Sequence, residues 1–275
     1  MKPPNFDYIR AESVAEAHAA LAEYGGEARV IAGGQTLVPM LSMRLARPKV
    51  LIDIMHLAEL KDIAAKGDAL RIGAGVRQAE ALASRDVAEK APLLAAALPW
   101  VGHAQTRNRG TLCGSVAHAD PSAEIPLVLL ALGGSVALSS HRKRRSVSAA
   151  DFFTGMMSTA RADDEMIEAI VLPAKRPDTS TAFQEFGRRH GDFAIVACAA
   201  VVSPDGITFA VGGVADKPER RDFPALDGSP LDDAIDAFAW ELDAREDLHA
   251  TAPYRRELVR RMGRATIEEA RRCLA

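Results

Sequence analysis

The run Thr111-Leu112-Cys113-Gly114-Ser115-Val116-Ala117-His118-Ala119-Asp120-Pro121 decides how the rest of the chain is read. It has a shorter partner far upstream, Ala32-Gly33-Gly34-Gln35-Thr36, between Ile31 and Leu37. Both stretches are small and polar, and each abuts apolar sequence. Residues without bulk let main-chain N–H groups come close to a ligand and turn several donors toward one anion. A single Gly-Gly after a strand reads most simply as a tight turn. Two such loops, with a long polar run after the second, suit a pyrophosphate held between them.

Around the first loop the chain reads as a small parallel sheet. Residues 6–9 form a short strand. Ser13 then caps a helix over 14–24, which Gly25-Gly26 closes. Residues 29–32 and 50–54 are apolar strands. Between them Pro39 suits the first turn of a helix over 36–43. Toward the second loop, 70–74 reads as a strand, 76–82 and 88–98 as helices, and 100–109 as irregular. Beyond it, 124–132 reads as a helix. Residues 135–139 and 145–148 pair across a turn, 151–155 is turn-like, and 165–172 is a strand stopped by Pro173. Residues 174–181 read as a linker. After it come strands at 182–186, 193–202 and 207–211, the last two joined by a hairpin at Asp205-Gly206, and two helices. The second helix repeats Tyr254, Leu258, Met262 and Ala265 at helical spacing. The fold class is therefore α+β, with an antiparallel sheet and helices in the last part.

Composition narrows the function. The 275 residues suit one large domain or two to three smaller ones, and 48% are hydrophobic, enough for real cores. A net charge of −3 excludes nucleic acid or membrane as a partner recruited by bulk charge. No apolar run approaches ~20 residues, so no membrane span is expected, and the N-terminus carries no signal peptide pattern. The basic run His141-Arg142-Lys143-Arg144-Arg145 reads as a solvated hairpin turn or, alternatively, a docking patch. Cys113, Cys198 and Cys273 are widely separated, with no C-x-x-C. The chain is thus expected to carry neither a zinc site nor an iron–sulfur cluster of its own, and a reducing, cytoplasmic setting is expected.

The polar residues give no catalytic set. His118 and Asp120 are too few for a metal site and are better placed to hydrogen-bond a ligand or the loop itself. Cys113 is either a reactive thiol or a small residue tolerated in a tight loop. No strand–elbow–helix serine and no phosphate loop of the G-x-x-x-x-G-K-[ST] kind is present. Gly73-Ala74-Gly75 lacks the third glycine of a dinucleotide fingerprint. No catalytic residue is assigned, and the side chains read as binding something that brings its own chemistry.

Five segments carry a resemblance that runs in order over nearly the whole chain. Residues 32–40 resemble the first flavin motif (AGGxS/T) of the FAD-binding medium subunits of molybdenum hydroxylases, the family of xanthine dehydrogenase and carbon monoxide dehydrogenase. Residues 107–126 resemble the long second motif. Gly187-Arg188-Arg189-His190-Gly191-Asp192-Phe193-Ala194 is similar to RRxGDFA, Gly212-Gly213-Val214-Ala215-Asp216-Lys217-Pro218 to GGVAxxP, and Tyr254-Arg255-Arg256 to a late YRR.

The resemblance implies an FAD-binding domain over 1–175, with a small α/β subdomain (about 1–56) and a mixed α+β subdomain (57–175). A C-terminal α+β domain of the flavoprotein subunit would follow over 176–275. It places the FAD pyrophosphate on Ala32, Gly33, Gly34, Gln35 and Thr36 and on Thr111, Leu112, Cys113, Gly114 and Ser115, and counts Ile31 and Leu37 among the cofactor-binding residues. It gives Asp120 and Glu124 hydrogen bonds to the adenosine or ribityl side, and sets Val101, Ile167 and Phe193 near the flavin. It implies a separate molybdopterin-binding large subunit, a [2Fe–2S] small subunit, NAD, a quinone or another acceptor, and a dimer of heterotrimers. Cys113 stands where the family carries Gly, so a Cβ is expected to crowd the pyrophosphate. Glu124 replaces the common Asp. A scaffold subunit that has lost FAD, or a free-standing flavin oxidoreductase, are the alternatives.

Overall fold

The computed structural model describes residues 2–274. The first piece is β1 (Asp7–Arg10), α1 (Val14–Tyr24), β2 (Ala28–Ile31), α2 (Leu37–Ser42) and β3 (Val50–Asp53). The strands run parallel in the order β1-β3-β2. Val50, Leu51 and Ile52 of the middle strand are all buried, the continuous apolar run that a strand covered on both faces needs. The Ser13 hydroxyl caps α1 by accepting from the Glu16 N–H at 3.1 Å, and Val14, Ala17 and Leu21 form its buried stripe.

The middle piece comprises β4 (Ile63–Lys66), β5 (Ala69–Gly73), α3 (Gln78–Leu82), α4 (Arg85–Lys90), α5 (Pro92–Ala97), α6 (Ala104–Arg107), α7 (Leu112–His118) and α8 (Glu124–Ala131). It continues through β6 (Ser135–Ser139), β7 (Arg144–Ser148), α9 (Ala149–Phe152), β8 (Phe153–Gly155), β9 (Ser158–Thr159) and β10 (Met166–Pro173). Its main sheet is antiparallel, ordered β4-β5-β10-β6-β7. The single helix expected over 88–98 is two. Pro92 pushes Ala91 out of the helical region (φ −133°, ψ 60°), so α4 ends and α5 starts with proline in its first turn. The basic turn is not merely solvated. Arg145 grips both oxygens of Glu165 at 2.7 Å, and Lys143 stands 3.5 Å from the same carboxylate, whose side chain is fully buried. The Arg145 guanidinium holds Glu165 down at about 2.

The C-terminal piece is β11 (Ser180–Phe186), β12 (Val196–Ser203), β13 (Gly206–Gly212), β14 (Glu219–Pro224), α10 (Gly228–Glu241) and α11 (Ala252–Arg272). The sheet is antiparallel in sequence order, with four strands where three were expected. The hairpin turn is Pro204-Asp205, one residue before the expected pair, because Ser203 already pairs with Gly206. Helices α10 and α11 cover one face. There Gly263 lets α11 settle on the Phe209 ring, whose Cζ would lie 2.7 Å from a Cβ. The opposite face meets α5 and α8. All eight residues of α8 are buried, as a helix enclosed between two layers requires. One apolar cluster joins the first two pieces to the inner face of this sheet through Phe183, Ala197, Ala199 and Ala210, and a second lies under α10 and α11.

Candidate cofactor site

The first glycine loop leaves the end of β2. Ile54 donates to the Ile31 carbonyl at 3.2 Å and closes the sheet below it. A Cβ on Gly33 would overlap the Arg109 carbonyl and lie 2.7 Å from Gly110 Cα, so two backbones touch there and only glycine fits. Gly34 turns at φ +68°, and its carbonyl accepts from Val38 at 3.0 Å to start α2. Gln35 donates back to the Gly33 carbonyl at 3.3 Å. Among the described residues, the N–H groups of Gly33, Gly34, Gln35, Thr36 and Leu37 donate to no acceptor. Five consecutive main-chain donors without a protein acceptor thus stand at the start of α2, beside a second backbone.

The second segment is helical where a loop was expected. Thr111 caps α7, its hydroxyl accepting from the Gly114 N–H at 3.0 Å. A Cβ on Gly114 would come within 2.8 Å of that hydroxyl, so glycine here protects the cap. Ala119 ends the helix in the left-handed region at φ 52°. Cys113 lies in the first turn, 3% exposed, with its sulfur 3.7 Å from the Ile72 carbonyl in the core. This side chain turns into the core, away from solvent. Burial pushes the thiol up to about 12, which also removes it as a nucleophile. The Thr111 and Cys113 N–H groups have no acceptor among the described residues.

Residues 99–110 tie these segments to the C-terminal piece. Arg107 donates to the carbonyls of Pro99 (3.3 Å), Val101 (3.0 Å) and Gly102 (2.9 Å). Gly191, at φ +89°, lies against His103 and the Gly102 carbonyl, and the His190 ring stacks on Trp100 with centroids 4.9 Å apart. Val101 is thus fixed and buried. Phe193 is not the start of a strand. It sits in the loop before β12 and is 64% exposed. Ile167 is buried on β10, the strand that α7 packs against.

The far end of α7 is acidic. Asp120 accepts from Ser122 N–H at 2.8 Å and lies 4.0 Å from His118. Glu124 opens α8 at 4% exposure and accepts no hydrogen bond from another described residue. Burial, reinforced by Asp120, pushes its carboxyl up to about 7. Across the domain junction, burial and then the Glu124 charge push Glu185 of β11 up to about 8. Arg245 fastens the junction, and Arg255 ties together parts of the C-terminal piece. Arg245 donates to Ser122 (2.8 Å) and Gly213 (3.2 Å), and Arg255 to Ile195 (2.5 Å), Gly213 (2.6 Å) and Asp247 (2.6 Å). Sequence reasoning gave no role to Arg107, Glu185, Arg245 or Arg255. Only Arg107 and Arg255 lay inside quoted motifs.

Two family descriptions match the chain: "FAD binding domain in molybdopterin dehydrogenase" over residues 4–175 and "CO dehydrogenase flavoprotein C-terminal domain" over 181–270. The chain belongs to this family of FAD-binding oxidoreductase subunits. It is 39% identical to the nicotine 6-hydroxylase medium subunit of Paenarthrobacter nicotinovorans, covering 98% of this chain and 99% of that one. It is 33% identical to the carbon monoxide dehydrogenase medium chain of Hydrogenophaga pseudoflava, covering 98% of each. A chain of quinoline 2-oxidoreductase from Pseudomonas putida 86 superposes with a TM-score of 0.94 at 32% identity, covering 100% of this chain and 99% of that one. The cofactor is FAD. Among the described residues no helix is long and apolar enough to cross a membrane, and no group of three or more His, Cys, Asp or Glu could hold a metal ion.

Proposed function

We propose that this chain is the electron-relay subunit of a molybdenum hydroxylase. It would take electrons from a [2Fe–2S] subunit and pass them through FAD to NAD, a quinone or another acceptor, while a molybdopterin subunit oxidises the organic substrate. Relatives named as medium subunits of carbon monoxide, nicotine and caffeine enzymes support this reading. So does the lack of any cysteine set for a cluster: two of the three thiols are buried singly in different pieces. The same reading proposes a dimer of heterotrimers, a cytoplasmic setting that suits three free thiols, and a domain boundary between 175 and 176.

The observation that carries the proposal is the row of free donors at residues 33–37, held against Gly110 at the start of α7. These N–H groups would take the pyrophosphate oxygens, with the Thr111 and Cys113 N–H groups on the other side. Asp120 and Glu124 would accept from hydroxyls, and Val101 and Ile167 would exclude water beside the ring. A bound flavin supplies the ability to gather electrons singly and release them as a pair. The reading of a scaffold that has lost FAD rested on Cys113, and its sulfur faces Ile72. The test is the absorption spectrum of the purified chain mixed with FAD and then desalted. Retained flavin bands are expected, and a colourless chain, alone and with its partner subunits, would overturn the proposal.

A further inference from the structure

The turn Asp120-Pro121-Ser122, between α7 and α8, is held from outside its own domain. The Pro121 carbonyl accepts from the Gly213 N–H at 2.7 Å, and the Ser122 hydroxyl accepts from Arg245 Nη2 at 2.8 Å. Gly213 is itself fixed. It stands at φ +80°, and a Cβ there would lie 2.7 Å from the Ile195 carbonyl. Its own carbonyl accepts from Arg255 at 2.6 Å and from Arg245 at 3.2 Å. The main-chain N–H of Arg245 donates to the Val214 carbonyl at 2.8 Å. Arg245 lies between α10 and α11, 123 residues beyond Ser122 in sequence. One residue of the C-terminal domain thus reaches into the motif that joins α7 to α8.

Inside the turn, Asp120 Oδ1 accepts from the Ser122 N–H at 2.8 Å, and the Asp120 carbonyl accepts from Ala123 at 3.1 Å. One carboxylate oxygen is therefore tied to the main chain of the residue whose side chain Arg245 holds. The other oxygen, Oδ2, lies 4.0 Å from His118 and accepts no hydrogen bond from a described residue. It is the oxygen left over for a ligand. A bond donated by a guanidinium is charge-assisted and stronger than one from a neutral donor. Ser122 is buried, so bulk water is poorly placed to take over that role. An acceptor that meets a cofactor works only when held within about 0.5 Å of its productive position.

We infer that Arg245 is a positioning residue of the cofactor site: from the C-terminal domain it anchors the Ser122 hydroxyl and so sets the Asp120 carboxylate toward an FAD hydroxyl. This rests on the FAD reading above. Arg245 does not touch the cofactor and acts through Ser122 and Asp120 alone. The C-terminal domain then does more than cover the apolar face of α8, because it fixes one acceptor of the cofactor site.

The test is a double-mutant cycle on the full chain stripped of flavin. Dissociation constants for FAD are measured for the wild type, Arg245→Met, Ser122→Ala and Asp120→Ala, and for the first two substitutions combined with Asp120→Ala. Asp120→Ala is expected to weaken FAD about tenfold or more, the loss of a hydrogen bond to a charged acceptor. Arg245→Met is expected to weaken it about fivefold, and Ser122→Ala about threefold. With Asp120 already replaced, neither substitution should change the affinity by more than about twofold. That loss of effect is what a general packing role would not produce. Ser122→Ala, which leaves the arginine in place, carries the same cycle should Arg245→Met fail to fold. Unchanged FAD affinity in both Arg245→Met and Ser122→Ala overturns the inference. So does a weakening of equal size with and without Asp120, which marks a merely structural arginine, and so does wild-type affinity in Asp120→Ala. A wild type that binds no FAD fails the underlying functional reading instead.

Discussion

The two glycine-bearing segments look alike in sequence and do different physical work. In the first, glycine is required because two backbones touch: a Cβ on Gly33 would occupy the Arg109 carbonyl, and the loop leaves five donors free. In the second, the chain is already helical. Gly114 there spares a cap, and the neighbouring Cys113 belongs to the core. Smallness thus serves ligand approach in one segment and local folding in the other. The first should be intolerant of any added carbon. The second should tolerate change wherever the side chain faces away from the free donors.

Gly33→Ala breaks the comparison hardest. The overlap must separate the two segments, and overpacking of this kind costs on the order of 1–3 kcal/mol. FAD affinity is expected to fall by roughly 10–100-fold in a fluorescence titration, with a lower melting temperature as well. Affinity equal to the wild type would show that the loop–helix contact is dispensable. Thr111→Val removes the cap of α7, worth about 1 kcal/mol of stability. Its melting temperature should drop by several degrees while FAD weakens only severalfold.

Cys113→Gly sharpens the contrast, since it restores the residue usual in the family. It places glycine inside a helix and empties a buried site, so stability should fall by at least about 1 kcal/mol. FAD affinity should hardly move, because the sulfur points at Ile72. A large gain in affinity would instead mean that this side chain does crowd the cofactor.

The smallest effect concerns the acidic end. The carboxyls of Glu124 and Glu185 sit at about 7 and about 8 in the folded chain, against 4.5 as the ordinary value. Between these limits the folded state holds more protons than the unfolded state, so stability falls as pH rises. The contribution is intact below about 4.5 and is lost through about 8. The unliganded chain should therefore melt at a lower temperature at pH 8 than at pH 6, and Glu185→Gln should flatten that slope. An equal slope in the variant would remove Glu185 from the account.

Much of this was legible in the sequence. Strong periodicity gave α1, the parallel first sheet and the C-terminal helices, and Gly33 and Gly34 stood out beside an apolar strand. What the sequence hid was set by tertiary context. Strand β14, Glu219-Arg220-Arg221-Asp222-Phe223-Pro224, is too charged to announce itself and exists because β13 offers an edge. Strand β4 is nearly all Ala and Ile and pairs only because β5 lies beside it. The direction of Cys113 could not be read until α7 was known to be a helix. Glu185 carries no local pattern at all. That its Oε2 is shielded without a partner shows only in the folded chain.

The central claim is that main-chain donors at residues 33–37, facing the start of α7, hold the FAD pyrophosphate. Amide hydrogen exchange with and without saturating FAD tests it most directly. The account predicts marked slowing at residues 33–37 and in the first turn of α7, with little change in α10 and α11. Flavin bound at full occupancy with unchanged exchange across residues 33–37 would contradict it.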